Sequence, residues 1–234
     1  MELKIFKDKK EVAAQFSSFL ADRIKSGERL TMALSGGSTP KVVFDYLAAY
    51  YTDLDWSNVH LYWGDERCVP PTHDESNYKM TVDHLLSKID IPEYNIFRVR
   101  GEDDPQSEAK RYANSLSNNL DLENGLPQFD LVILGMGSDG HTASIFPHEM
   151  PLWNAEGHCV VATHPESGQK RVSLTGNVIN NAREVAFLVT GTDKLEKVTE
   201  ILGRTESAKN YPASRVQPVS GKLYWFLDEE AYNI

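Results

Sequence analysis

Apolar and polar positions along the chain switch repeatedly between helical spacing and short continuous runs. From Lys9 to Ser26, the apolar residues Val12, Phe16, Phe19, Leu20 and Ile24 recur at helical spacing, and Gly27 supplies a stop. Arg29 to Leu34 then reads as a strand. Val42 to Ala49 reads as a helix, with Pro40 suited to its first turn and Ser38 or Thr39 to its cap. Val59 to Trp63 is a second strand. A helix follows from Ser76, its cap, to Ile89, with Tyr78, Val82, Leu85 and Leu86 as the buried stripe. Ile96 to Val99 reads as a short strand and Pro105 to Asn119 as a helix. Leu131 to Leu134 is an unbroken apolar run between Asp130 and Gly135, which suits a parallel strand covered on both faces. Beyond it, Cys159 to Thr163 and Arg171 to Thr175 read as strands, Gly176 to Asn181 as a short helix and Val185 to Thr190 as a buried strand. Gly191-Thr192-Asp193-Lys194 opens a helix to Leu202, Leu223 to Leu227 is the last strand, and Asp228 caps a terminal helix.

Strands separated by helices throughout predict an α/β fold: a doubly wound, mainly parallel sheet with helices on both faces, a Rossmann-like three-layer sandwich. A length of 234 residues suits one domain spanning residues 1–234. No apolar run approaches membrane-spanning length, and the first residues, MELKIFKDKKEV, lack the apolar core of a signal peptide. Cys68 and Cys159 show no metal or redox spacing and read as free thiols of a cytoplasmic protein. Lys and Arg number 24 against 34 Asp and Glu, a net charge of -10. That balance argues against a nucleic-acid partner. It leaves room for an anionic small molecule held by a few local cations.

The candidate chemistry gathers at strand ends. After the first core strand, Ser35-Gly36-Gly37-Ser38-Thr39-Pro40 joins a Gly-rich turn with hydroxyls to a helix start. Free N–H groups and the helix dipole favour a phosphate there, although a plain βα turn would share the pattern. Asp65, Glu66 and Arg67 follow the second strand and are closed off by Pro70 and Pro71. They read either as a polar cluster at a cleft or as a salt-bridged loop. After the central strand comes Gly135-Met136-Gly137-Ser138-Asp139-Gly140-His141. It matches the dinucleotide pattern G-x-G-x-x-G literally, but Pro147 and Pro151 break the long helix that such a site needs. Asp139 and His141 instead stand where open α/β sheets place their ligands. Lys194 lies in the first turn of a helix, where a cation opposes the dipole and so needs another reason, such as a phosphate. The other histidines show no zinc-ligand spacing, so no metal is expected.

Five stretches occur in order: Ser35 to Pro40, Trp63 to Arg67, Gly135 to Pro147, Arg171 to Thr175 and Gly191 to Lys194. Pro212-Ala213 and Leu223 to Asp228 continue the series. In these, over essentially its full length, the chain resembles the 6-phosphogluconolactonases, from the superfamily shared with glucosamine-6-phosphate deaminase. The resemblance implies hydrolysis of 6-phospho-D-glucono-1,5-lactone to 6-phospho-D-gluconate in the oxidative pentose phosphate pathway, with no metal and no organic cofactor. It implies a phosphate site of Gly36, Gly37, Ser38, Thr39, Arg171 and Lys194, and a sugar and reaction end of Asp65, Arg67, Asp139 and His141. A histidine can act as base and then acid near neutral pH. Asp139 or Asp65 can orient its ring, and Arg67 or backbone N–H groups can stabilise an oxyanion. The implied partner is a small sugar phosphate, with no nucleic acid or membrane, for a monomer or small homo-oligomer.

Two other functions share part of this pattern. The deaminase branch continues after its histidine as Ile-Ala-Phe-Asn-Glu-Pro; here Phe146 stands where that Glu would fall, and Arg67 replaces an aromatic residue. Ring opening would lose its carboxylate. A non-catalytic sugar-phosphate sensor would carry a helix-turn-helix ahead of the sugar domain. Here a single helix precedes the first core strand.

Overall fold

In the computed structural model, residues 1–232 are described. Seven strands form one sheet: β1 (Glu2–Phe6), β2 (Leu30–Leu34), β3 (Val59–Trp63), β5 (Ile96–Phe97), β8 (Leu131–Leu134), β11 (Glu184–Val189) and β12 (Leu223–Asp228). Their order is β1-β12-β11-β8-β2-β3-β5, and every neighbouring pair is parallel. Three short strands, β4 (Asp65–Arg67), β9 (Cys159–Thr163) and β10 (Lys170–Leu174), make an antiparallel second sheet. A hairpin joins β6 (Asp121–Glu123) to β7 (Leu126–Gln128). The helices are α1 (Lys9–Lys25), α2 (Ser38–Tyr50), α3 (Asn77–His84), α4 (Pro105–Asn119), α5 (Gly176–Asn180) and α6 (Leu195–Leu202). None is long and apolar enough to cross a membrane.

The three-layer arrangement follows from side-chain alternation. On β12, Phe226 meets Phe16 and Phe19 of α1, while Trp225 stacks on Phe187 of β11 at 4.1 Å. Successive strand residues point to opposite faces, so α1 covers the face that carries Phe226 and the Trp225–Phe187 pair lies on the other. The inner strands β2 and β8 are buried along their whole length, as a parallel sheet covered on both faces requires.

One feature of the topology creates the cleft. From β2 the chain moves outward through β3 and β5, then returns to β8 on the other side of β2 and moves away through β11 and β12. The connections therefore diverge above β2 and β8 and leave a crevice at their carboxyl ends. Asp130 locks this pair. Its carboxylate accepts from the Thr31 N–H and hydroxyl, each at 2.8 Å, and its own N–H donates to Thr31 Oγ1 at 3.0 Å.

The structure differs from the sequence reading at several ends. Strand β1 was not expected; it is short, and its partner β12 lies at the far end of the chain. The β6–β7 hairpin was also unexpected, although Asn124-Gly125, both at positive φ, is a strong turn signal. Helix α2 starts at Ser38, capped by Gly37 at φ 104 with no side-chain bond, so neither Ser38 nor Thr39 is a cap. Ser76 does cap α3, accepting from Lys79 N, but the buried face is Asn77, Thr81 and Leu85 rather than Tyr78 and Val82. Asp228 caps a turn over residues 229–232 rather than the expected terminal helix, accepting from Ala231 N, and also accepts from Gly191 N; Asn233 and Ile234 lie outside the described residues.

The second sheet is pinned by a buried carboxylate. Glu66, 2% exposed, accepts from the N–H groups of Arg67, Asn77 and Tyr78 and from Ser76 Oγ. Two of those donors are unsatisfied first-turn amides of α3, which an anion suits. Removing the carboxylate leaves these donors buried and unpaired. Glu66→Ala should therefore destabilise the protein by about 3 kcal/mol, lowering its melting temperature by roughly 6–12 °C, as read by circular dichroism.

Candidate functional site

The crevice is a cleft of about 210 Å³ between the ends of β2 and β8. Gly36, Gly37, Ser38, Thr39, Asp65, Arg67, His141, Arg171 and Lys194 all line it. Asp139 does not line it and sits behind the imidazole.

One end is built by the start of α2. Because Gly37 caps that helix without a side chain, its first-turn N–H groups remain available to a ligand. Gly36 is needed for a different reason: a Cβ there would fall 1.9 Å from Asn77 Oδ1. Thr39 and Thr190 share a hydroxyl hydrogen bond of 2.8 Å, tying this turn to the end of β11. Lys194 follows on the same side, its ammonium 2.8 Å from the exposed Asp193. Such an exposed pair is weak and leaves the cation available. Lys9 adds a second ammonium, donating to Ser38 Oγ at 3.2 Å.

The second sheet forms another wall. Arg67 and Arg171 are cross-strand partners, so their side chains leave the same face. Neither makes an ion pair among the described residues. The Nε of each is buried without a partner, while Arg67 Nη1 donates to Glu75 O. Burial and then the neighbouring Arg67 charge pull the Arg171 guanidinium below its ordinary value. Guanidinium nevertheless stays charged at working pH. Two adjacent unpaired cations with orphaned donors suit an anion or a developing oxyanion. Asp65 next to them is buried and accepts from Ser144 Oγ at 2.5 Å, while its carbonyl accepts from Asn77 Nδ2 at 3.0 Å.

The glycine loop after β8 presents His141. His141 Nδ1 lies 2.7 Å from Asp139 Oδ1, and the His141 N–H donates to the same oxygen at 3.0 Å. A carboxylate only accepts, so Nδ1 carries the proton and Nε2 is the basic nitrogen. Burial alone would raise the Asp139 carboxyl. The hydrogen bond and charge of the imidazole and backbone N–H bonds outweigh it, holding the carboxyl at about 2 against an ordinary 3.8. Gly137 makes room for the pair, since a Cβ there would stand 2.2 Å from His141 Nδ1. Ala143 completes the turn at φ 46, a strained value for a residue with a Cβ.

Behind His141 lies Phe146, fully buried, its ring 4.7 Å from the imidazole. His148 and His164 pack on the same ring, at 5.8 and 5.4 Å, and the Arg171 guanidinium lies 5.6 Å from it. Glu149, the nearest following carboxylate, accepts from Thr163 N at 2.9 Å and does not line the cleft. Among the described residues no three His, Cys, Asp or Glu side chains gather to hold a metal. Burial pushes both free thiols up, Cys68 to about 11, so neither is a ready nucleophile.

The sequence pattern assigns no role to Asn77 and Thr190, which line the cleft, nor to Ser144 and Lys9, which hydrogen-bond residues that do. Asn77 carries a findable signal as the residue after the Ser76 cap. Ser144 lies within the quoted Gly135 to Pro147 stretch but was given no role.

The family described as glucosamine-6-phosphate isomerases/6-phosphogluconolactonase matches residues 7–225. A 6-phosphogluconolactonase of Treponema pallidum is 48% identical over 202 residues, which cover 86% of this chain and 84% of that protein. One of Haemophilus influenzae is 44% identical over 207 residues, covering 87% and 86%. The solved structure of the Trypanosoma brucei 6-phosphogluconolactonase superposes with a TM-score of 0.86 at 28% identity, covering 98% of this chain and 97% of that one.

The Asp139–His141 pair carries a sign-definite pH signature. A carboxyl with a lowered folded pKa contributes stability above its unfolded value, and that contribution is lost as pH falls through the folded value. The stability advantage of the wild type over Asp139→Asn should be present at pH 5 and close between about pH 4 and 2, as followed by denaturant unfolding.

Proposed function

The chain belongs to the glucosamine-6-phosphate isomerase/6-phosphogluconolactonase family, and from that premise we propose that it hydrolyses 6-phospho-D-glucono-1,5-lactone to 6-phospho-D-gluconate. The observation that carries the reading is the imidazole of His141, tautomer-fixed by Asp139, in one cleft with the unpaired Arg67 and Arg171. We take its place to be the cytoplasm, which suits two free thiols.

His141 Nε2 takes a proton from water as that water attacks the lactone carbonyl. The charge that develops on the carbonyl oxygen meets Arg67 or loop N–H groups. The imidazolium, held by the Asp139 carboxylate, then returns its proton to the departing ring oxygen. The substrate phosphate is met by the free N–H groups of α2, the hydroxyls of Ser38 and Thr39, Lys194 and Arg171. A carboxylate beside the histidine, which ring opening and C1–C2 proton transfer would use, is replaced by the apolar ring of Phe146. Glu149 is occupied elsewhere. These features favour the lactonase branch over the deaminase.

His141→Ala should keep the fold and lose roughly 10² to 10⁴ in turnover of freshly generated lactone, followed by acid release above the spontaneous rate. Near-normal turnover in the folded variant would remove His141 from the mechanism. Arg171→Ala and Lys194→Ala should each raise KM for the phosphorylated lactone by about ten- to a hundredfold, and change that for unphosphorylated gluconolactone much less. Equal losses on both substrates would assign these cations a structural role. On one preparation, lactone hydrolysis should be seen while glucosamine 6-phosphate releases no ammonia. The reverse pattern would promote the deaminase reading.

A further inference from the structure

The Pro212-Ala213 stretch belongs to the sequence resemblance, yet neither residue lines the cleft. It runs beneath the catalytic loop. Ala213 N donates to Gly140 O at 3.1 Å. Gly140 sits at φ 85, and a Cβ there would fall 2.7 Å from Cβ and Cγ of Tyr211. The base of the Tyr211 ring therefore fills the space that a side chain on Gly140 would take. Tyr211 is itself tethered. Its hydroxyl donates to Glu200 Oε2 at 2.6 Å, and the other oxygen of Glu200 accepts from Ser207 Oγ at 2.6 Å. The Lys197 ammonium lies 4.7 Å from the ring centre, and Ser214 Oγ donates to the Tyr211 carbonyl at 2.8 Å. Tyr211 does not line the cleft.

This packing answers a problem that the loop poses. Glycine populates both signs of φ about equally, so a turn with glycines at 135, 137 and 140 has little intrinsic reason to hold one shape. The internal bonds, Gly140 N to Gly137 O and Gly137 N to His141 O, close the turn without fixing it against the rest of the protein. Something outside must do that, because the next residue is the histidine whose aim matters.

We propose that Tyr211 is a positioning residue for the reaction: its ring is the mould for the Gly140 turn, and its hydroxyl fastens that mould to α6 through Glu200. Helix α6 follows directly on Lys194, so the brace joins the cation at one end of the cleft to the imidazole at the other. The inference rests on reading His141 as the base, and its test separates the two. Misplacing a reacting group by about 1 Å costs on the order of a hundredfold in rate.

The experiment compares Tyr211→Ala, Tyr211→Phe, His141→Ala and the Tyr211→Ala/His141→Ala double variant, measuring kcat and KM on 6-phosphogluconolactone. Proton NMR of the His141 Nδ1–H that bonds Asp139 gives a readout independent of turnover. Tyr211→Ala should lower kcat roughly 10- to 100-fold with KM within about threefold, and should broaden or shift the Nδ1–H resonance. Tyr211→Phe keeps the ring on Gly140 but frees it from Glu200, and should lower kcat by an intermediate amount, roughly three- to tenfold, with KM unchanged. In the His141→Ala background Tyr211→Ala should add little, as expected for two residues acting through one group. A wild-type kcat in folded Tyr211→Ala, with His141→Ala inactive, overturns the proposal. Should His141→Ala remain active, the reading of the base fails instead, and an unmoved Nδ1–H resonance in Tyr211→Ala overturns the brace on its own. If Tyr211→Ala does not fold, Glu200→Ala releases the same anchor away from the cleft: a kcat loss at unchanged KM supports the brace, and an unchanged kcat overturns it.

Discussion

The pairing of β2 with β8 is the constraint on which the rest depends. Two fully buried parallel strands lie side by side, locked by the Thr31–Asp130 hydrogen bonds, and the chain leaves them in opposite directions. Helical connections cannot cover the gap between diverging paths. The backbone beyond both strands must therefore turn in the open, and both turns are made of glycine: Gly36-Gly37 on one side, Gly135 and Gly137 on the other. The anion-attracting start of α2 and the imidazole face each other because their strands are neighbours.

Stability is surrendered around this crevice and recovered nearby. Arg67 and Arg171 are like charges in cross-strand register, an arrangement that disfavours folding, and each leaves a buried Nε without a partner. Ala143 holds a strained backbone angle. The surrounding groups compensate through hydrogen bonds. Glu66 gathers the start of α3, Ser144 fastens the loop to Asp65, and the Tyr112 hydroxyl both donates to Trp63 O and accepts from Trp63 N where β3 ends. Local violations clustered in one cleft, over a framework otherwise well satisfied, are what a functional site looks like in physical terms.

Much of this was legible in the sequence because the signals are local. Val59–Trp63, Pro105–Asn119, Leu131–Leu134 and Cys159–Thr163 have the bounds that their apolar runs and caps imply. The glycine-rich turn before α2 and the Asp139–His141 pair were legible for the same reason, each contained in a few consecutive residues. What escaped is non-local. β1 exists because β12 offers it an edge. Ser144 acquires a role only when Asp65 arrives from another strand, and the contact of Tyr211 with Gly140 has no trace in either segment alone. The hairpin at Asn124-Gly125 is the exception: its turn was readable, but its flanks, Asp-Leu-Glu and Leu-Pro-Gln, lack strand-forming residues.

Strand β1 has a colloidal consequence. An open sheet ends in unpaired N–H and C=O groups, a template for joining molecules edge to edge. Here one border is the two-residue β5, too short to recruit a neighbour, and the other is β1, which carries the Glu2–Lys4 pair at 2.8 Å. Just inside it lies β12, whose Leu-Tyr-Trp-Phe-Leu run has the composition of a fibril-forming segment. Five residues at the start of the chain thus act as a gatekeeper, and a chain trimmed past Phe6 would present that run to its neighbours as an aggregation seed.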